Sequence, residues 1–259
     1  MMIQDKEAVI GYGADTRREA VVTIRALQKS FGAKTVLADI NMDLYRGENL
    51  VVLGKSGTGK SVAIKCMVGL LTQEAGSLKI FGSEVKDLGE EELKLLRIKV
   101  GFLFQSGALY DSMTVEQNLE FPLTRVLKMV DRDEIRHRIE ELLAGVGLLD
   151  AIDKMPSDLS GGMRKRVGLA RTLIMKPEIM LYDEPTTGLD PITSREISEL
   201  IMEMQQKYHM SSIIITHDMA CAEITADRIL VMDKGVFAAE GSYEQLESGP
   251  DEHVRSFFK

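Results

Sequence analysis

Eight consecutive residues, Gly54-Lys55-Ser56-Gly57-Thr58-Gly59-Lys60-Ser61, fit the pattern G-x-x-x-x-G-K-[ST] and constrain this chain more than any other feature. The apolar run Glu48–Leu53 precedes them and reads as a buried strand. Ser61–Leu71 follows with helical spacing. Glycines let such a loop curl and turn its N–H groups inward onto an anion. The next helix offers free N–H groups and its positive dipole end to the same anion. Lys60 adds a charge suited to the β- and γ-phosphates, Ser61 offers a hydroxyl to Mg²⁺, and Val62 continues the first turn. The motif specifies a triphosphate site without separating kinases, GTPases and ATPases.

Further strands are expected at Val21–Leu27, Ser77–Phe81 and Val100–Phe104. Ile179–Tyr182 and Ser212–Ile215 read as buried strands, and Ile229–Val231 with Val236–Ala239 as a hairpin closed by Asp233-Lys234-Gly235. Ser194–Lys207 is an amphipathic helix, and from about Ser106 to Lys176 the pattern is mostly helical, most clearly at Arg132–Leu143 and Gly162–Met175. Alternating strands and helices imply a mainly parallel sheet covered on both faces, interrupted by an inserted helical lobe.

Several predicted strands end in chemistry. Ile179–Tyr182 ends in Asp183, suited to hold Mg²⁺, and Glu184, suited to polarise an attacking water. Ile213–Ile215 ends near His217, and Val100–Phe104 ends at Gln105, whose amide can touch metal and water. His217 alone reads as a structural histidine and Gln105 alone as a polar loop residue. Together they fall where open α/β sheets bind ligands, at the carboxyl ends of parallel strands.

Leu159-Ser160-Gly161-Gly162-Met163 opens a helix carrying Arg164, Lys165, Arg166 and Arg171. Met163, Val167, Ala170 and Ile174 form its apolar stripe, so the basic residues are expected mostly to face away. A Ser160-capped helix with a solvated basic face is one reading. The other is a second oxyanion site at Ser160, Gly161 and Gly162. With no second lysine-bearing loop, that reading calls for a head-to-tail pair of chains, each lending this turn to the other's ATP. Gly188-Leu189-Asp190 would lie at the seam.

The composition of the 259 residues is ordinary, 44% apolar and 28% charged, and the net charge of −8 argues against nucleic-acid partners bound by a basic face. No apolar run of bilayer length occurs, and the first twenty residues hold no secretory-type stretch, so a cytosolic chain is expected. Cys66 and Cys221 lie far apart and are expected to be buried, reduced thiols.

From about Val21 to Gln245 the chain resembles ABC-type ATPases: the phosphate loop, Gln105, LSGGM, LYDEP, GLD and His217 occur in the family's order. The resemblance implies a P-loop NTPase fold of class α/β, with a mainly parallel RecA-like core sheet, a small antiparallel β subdomain and an inserted α-helical lobe. It divides the chain into an N-terminal extension (1–20), a nucleotide-binding core (21–105), the helical lobe (106–176) and a core continuation with the C-terminal hairpin (177–259). ATP and Mg²⁺ are the implied ligands. Phe31 would stack on adenine, Glu184, His217, Gln105 and Asp190 would be catalytic, and Ser61, Gln105 and Asp183 would hold the metal. The implied partners are a second copy and an integral membrane permease, whose coupling helix would meet a groove beside Gln105.

A narrower likeness lies in Gln105–Val115, Asn118, Phe121-Pro122-Leu123, Gly161–Arg171 and Gly188–Thr193, which are similar to the ATPases of Mce/Mla-type phospholipid transport systems. That likeness implies a homodimer peripheral to the cytoplasmic face of a bacterial inner membrane, driving lipid between inner and outer membranes. It implies a periplasmic lipid-binding Mce-type partner too. Some relatives carry a C-terminal extension that embraces the neighbouring ATPase and a small STAS-domain subunit; here little follows Val254-Arg255-Ser256-Phe257-Phe258, which leaves that partner open. The alternatives are an ABC ATPase for another cargo and a soluble ABC protein of ribosomes or DNA repair. The latter usually has two cassettes or a long coiled-coil insertion, and neither is seen here.

Overall fold

A computed structural model describes residues 19–258. Positions 1–18, most of the expected N-terminal extension, and Lys259 lie outside the described residues. The chain runs β1 (Ala20–Phe31), β2 (Lys34–Tyr45), β3 (Asn49–Leu53), α1 (Lys60–Met67), β4 (Ala75–Ile80), β5 (Ser83–Glu84), α2 (Glu90–Lys99) and β6 (Val100–Leu103). Three helices follow without an intervening strand: α3 (Val115–Arg125), α4 (Arg132–Gly145) and α5 (Gly161–Leu173). Then come β7 (Ile179–Asp183), α6 (Pro191–Tyr208), β8 (Ser211–Thr216), α7 (Met219–Thr225), β9 (Arg228–Asp233), β10 (Val236–Gly241), α8 (Tyr243–Glu247) and α9 (Glu252–Arg255).

The strands lie in the order β5-β4-β1-β2-β10-β9-β3-β8-β7-β6. From β9 to β6 every neighbouring pair is parallel; β1, β2, β4 and β5 pair antiparallel, as do β9 and β10. The parallel strands are buried on both faces, and the period-2 alternation of side chains sorts their residues into two cores. Leu50, Val52, Ile179, Leu181, Ile213 and Ile215 pack toward α1 and the antiparallel strands. Val51, Leu53, Met180, Tyr182 and Ile214 pack with α3 to α7. Each such apolar side chain is worth about 1.5–3 kcal/mol of transfer free energy when fully buried. Both thiols are buried and unpaired, and burial pushes each up to about 11, so neither is a thiolate at neutral pH.

Six elements were not expected from the pattern: β2, β5, α2, α7, α8 and α9. The expected hairpin forms as β9 and β10. The helix expected from Ser194 begins at Pro191, because Asp190 accepts from the amides of Ile192 and Thr193 and proline pre-sets the first turn.

The antiparallel and parallel parts meet in a narrow seam. β10 pairs with β2 through Val236 and Asp39 alone, supported by the Ala38 amide donating to the Gly235 carbonyl at 2.9 Å. Arg228 reinforces it. Its guanidinium donates to Glu48 at 2.8 and 3.0 Å, to Glu240 at 2.6 Å and to the Asp43 carbonyl at 2.6 Å. Burial works against the Arg228 charge, but the Glu48 hydrogen bonds and nearby carboxylates outweigh it and hold the guanidinium above its usual range. Removing one partner strands the other, with Glu48 only 5% exposed. Arg228→Met is therefore expected to destabilise by about 3–5 kcal/mol. Calorimetry should show the Tm lowered by roughly 10 °C. The double variant Arg228→Met/Glu48→Leu should recover part of that loss.

Candidate active site

The loop at Gly54–Gly59 leaves β3 and enters α1. Gly57 and Gly59 have φ of 81° and 109°, a region that L side chains rarely adopt. A Cβ on Gly54 would stand 2.6 Å from the Met232 carbonyl, so the loop's first glycine answers a close backbone approach. Thr58 Oγ1 donates to the Lys55 carbonyl at 2.9 Å and closes the turn. No acidic residue occupies the first turn of α1, so its positive end stays uncompensated. Lys60 is 5% exposed, and its ammonium donates to the carbonyls of Gly54 at 2.6 Å and Lys55 at 3.1 Å. Burial pushes the Lys60 ammonium down, and the carboxylates of Glu184 and Asp183 act against that.

A cavity of about 540 Å³ opens above this loop. Lys55, Ser56, Gly57, Gly59, Lys60, Ser61 and Val62 line one side; Gln105, Asp183, Glu184, Thr187 and His217 line another. The parallel register brings β3, β8, β7 and β6 side by side, so their carboxyl ends deliver these groups to one edge. Ser61 Oγ donates to Asp183 Oδ1 at 2.8 Å. A hydroxyl, a carboxylate and the nearby Gln105 amide are the hard oxygen donors that Mg²⁺ takes, so the residues present fit that ion.

Glu184 carries the tightest constraints. Its φ of 54° places a non-glycine residue in the left-handed region, the kind of strain that gathers at functional sites. Its amide donates to the Ile215 carbonyl at 2.9 Å. Its carboxylate meets His217 Nδ1 at 2.7 Å and Thr187 Oγ1 at 3.3 Å, and Lys60 Nζ lies 3.8 Å away. Thr186 Oγ1 donates to Asp218, which caps α7, at 2.8 Å. That bond ties the loops after β7 and β8 together and keeps His217 beside Glu184. The group can therefore hold a phosphate chain against an ammonium and present a carboxylate to a nucleophilic water.

Other expected residues stand apart from the cavity of their own chain. Phe31 is 49% exposed at the end of β1, with Lys29 Nζ 5.3 Å from its ring centre. Val36, across the β1–β2 turn, is the residue of that region that lines the cavity. Ser160 is exposed and caps α5 by accepting from the Met163 amide at 3.2 Å. Gly161 and Gly162 follow on the same turn, where a Cβ on Gly162 would stand 2.6 Å from the Thr193 methyl carbon. Asp190 is exposed, and a hydrogen bond from the Thr193 hydroxyl leads the interactions that hold its carboxyl below its usual range.

The expectation that the basic residues of α5 mostly face away is corrected. Lys165 is 6% exposed and donates to the carbonyls of Gln105 and Glu184. Arg171 donates to the Ala108 carbonyl at 2.7 Å and Arg164 to the Leu159 carbonyl at 2.7 Å. Arg166 pairs with Glu196 at 2.8 Å. These residues reach loop and neighbouring-helix groups that helical periodicity does not reveal. Sequence reasoning missed Val36, because β2 was unexpected, and Thr187, which only its place after the acids could have suggested.

The family model described as "ABC transporter" matches residues 37–187. The chain is 38% identical to the probable ribonucleotide transport ATP-binding protein mkl of Mycobacterium leprae, over 96% of this chain and 72% of that protein. It is 37% identical to the methionine import ATP-binding protein MetN of Rhizobium etli, over 91% of this chain and 65% of that protein. Among solved structures, cbiO1 from Clostridium perfringens, part of the cbiONQ transporter complex, superposes with a TM-score of 0.82 at 30% identity, covering 92% of this chain and 94% of that one. The ATP-binding cassette MJ0796, solved as a dimer in a post-hydrolysis state with ADP and Pi, gives 0.78 at 29% identity, over 86% of this chain and 98% of that one.

The Glu184–His217 contact generates a direct expectation. His217→Ala should lower the hydrolysis rate about a hundredfold, because the carboxylate loses its orienting partner. Nucleotide affinity, followed by titration with a fluorescent ATP analogue, should change little.

Proposed function

Because this chain belongs to the ABC transporter family as an ATP-hydrolysing subunit, we propose that ATP is held by Lys60 and the loop amides and hydrolysed with Glu184 as general base. Ser61, Asp183 and Gln105 would hold Mg²⁺, which when bound neutralises phosphate charge. Water attacks the γ-phosphorus, its proton passes to the Glu184 carboxylate, and the bond to the ADP oxygen breaks. His217 keeps the Glu184 carboxylate aimed. One observation carries this reading: the Glu184 carboxylate lies between His217 Nδ1 at 2.7 Å and the Lys60 ammonium at 3.8 Å.

The working unit is a head-to-tail pair of chains. Ser160, Gly161 and Gly162 present an open helix N-terminus away from their own cavity, which suits a second copy's γ-phosphate. Asp190 and Leu189 sit beside that turn, and a Cβ on Gly161 would stand 3.3 Å from the Leu189 side chain. The MJ0796 cassette, solved as a dimer, supports a paired unit. Phe31 is assigned to the adenine from the family resemblance.

The driven partner is an integral membrane permease. Among the described residues no helix is long and apolar enough to cross a membrane. A mostly apolar groove of about 310 Å³, lined by Leu70, Phe102, Phe104, Thr172 and Met175, lies beside the Gln105 loop and suits a coupling helix. The chain then sits peripherally on the cytoplasmic face of a bacterial inner membrane. For cargo, the segment Gln105–Leu123 supports phospholipid, with a periplasmic Mce-type protein, and a STAS-domain subunit in some assemblies. A second reading, another small-molecule cargo, draws on the ribonucleotide and methionine of the relatives' names.

Lys60→Ala should remove ATP binding or hydrolysis; near-normal turnover would contradict the lysine's role. Glu184→Gln should bind ATP and accumulate a closed dimer by light scattering, and a persistent monomer at saturating ATP and Mg²⁺ would refute the paired site. Co-purification from membranes tests the cargo: an Mce-type subunit supports lipid, and an amino-acid or metal permease ends that reading.

A further inference from the structure

We propose that Lys165 is a positioning residue for hydrolysis: its ammonium joins the carbonyl oxygens of Gln105 and Glu184, and so sets the Glu184 carboxylate from the helix that Ser160 caps. This rests on Glu184 being the general base.

Lys165 lies on α5, four residues after Gly161, with 6% of its surface exposed. Its ammonium donates to the Gln105 carbonyl and, at 3.3 Å, to the Glu184 carbonyl. Burying a charge is costly unless partners satisfy it, and here the hydrogen-bond acceptors are two backbone oxygens from two different cavity loops. Burial pushes the Lys165 ammonium down, and the carboxylates of Glu184 and Asp183 act against that. The rest of the face repeats the grip. A Cβ on Gly168 would stand 2.8 Å from the Gly107 carbonyl, and Arg171 holds the Ala108 carbonyl. Lys165, Gly168 and Arg171 recur at intervals of three, one stripe of the helix clamped onto the segment after Gln105.

Glu184 is the residue for which such a grip matters. Its peptide is already in the left-handed region, fixed on the amide side by the Ile215 carbonyl. Lys165 fixes the carbonyl side, together with the Thr187 amide at 3.3 Å. Between the two anchors the Cα–Cβ vector of Glu184 has one direction, toward His217 and Lys60. A shift of α5 would move that direction, whereas it would leave the phosphate loop on β3 and α1 untouched.

The test compares Lys165→Met, which keeps length and removes every donor, with wild type and Glu184→Gln. Single-turnover hydrolysis at saturating ATP and Mg²⁺ should slow about ten- to a hundredfold in Lys165→Met. The ATP Kd, read with a fluorescent analogue, should stay within about threefold, a separation that a purely structural defect would not give. In the Glu184→Gln background, adding Lys165→Met should cost less than about twofold more, since the lysine acts through that residue. A Lys165→Met rate within twofold of wild type, a parallel loss of ATP affinity, or a full second penalty in the Glu184→Gln background overturns the proposal. If Lys165→Met does not fold, Lys165→Gln is read instead: its amide, one bond shorter, should slow hydrolysis at least about threefold without weakening ATP binding, and a wild-type rate overturns the proposal. Should Glu184→Gln itself hydrolyse normally, the general-base assignment fails, and that outcome is visible apart from any Lys165 variant.

Discussion

Lys60 keeps a positive charge at the floor of an open cavity with two carbonyls of its own loop as hydrogen-bond partners. Most of the architecture around it follows from making that arrangement tolerable. The carbonyls can converge only because the loop passes through left-handed glycines. Glu184 and Asp183 must stand near enough to favour the charge, yet leave room for a polyanion. The carboxyl ends of β3, β7 and β8 are adjacent, so a parallel sheet meets both demands without long loops.

The acids are not free either. Glu184 is held by His217 and Thr187, while Asp183 accepts from Ser61. Cations and anions of the site satisfy one another. Triphosphate and metal would enter by exchanging these internal contacts for external ones. That exchange loses less free energy than creating partners for unpaired buried charges would.

How far the sequence reveals this depends on the kind of interaction. Ile179–Tyr182 and Ser212–Ile215 are buried on both sheet faces, so their unbroken apolar runs announce them, and the acids and histidine at their ends follow. The phosphate loop is legible because its glycines answer local backbone demands. β2 was not read, since Lys34–Tyr45 mixes buried Leu37, Ile40, Met42 and Leu44 with charged and polar neighbours, and its pairing with β1 is broken by register shifts. α2 buries only Leu96 and shows no apolar stripe. Lys165 was misread for a physical reason: periodicity assigns lysine to water, and the carbonyls that receive it belong to segments 60 and 19 residues away. Long-range satisfaction of a polar group leaves no local trace.

The seam between the two halves of the sheet has a mechanical meaning. Gly235 approaches Val36 so closely that a Cβ there would lie 2.5 Å from the Val36 carbonyl, and Val36 lines the cavity. The sheet is one rung wide at this junction, while Arg228 bolts the strands together further along. The antiparallel strands therefore reach the cleft through Val36, whose carbonyl would lie 2.9 Å from a Cβ on Gly59, and this narrow junction fixes where they stand beside the phosphate loop.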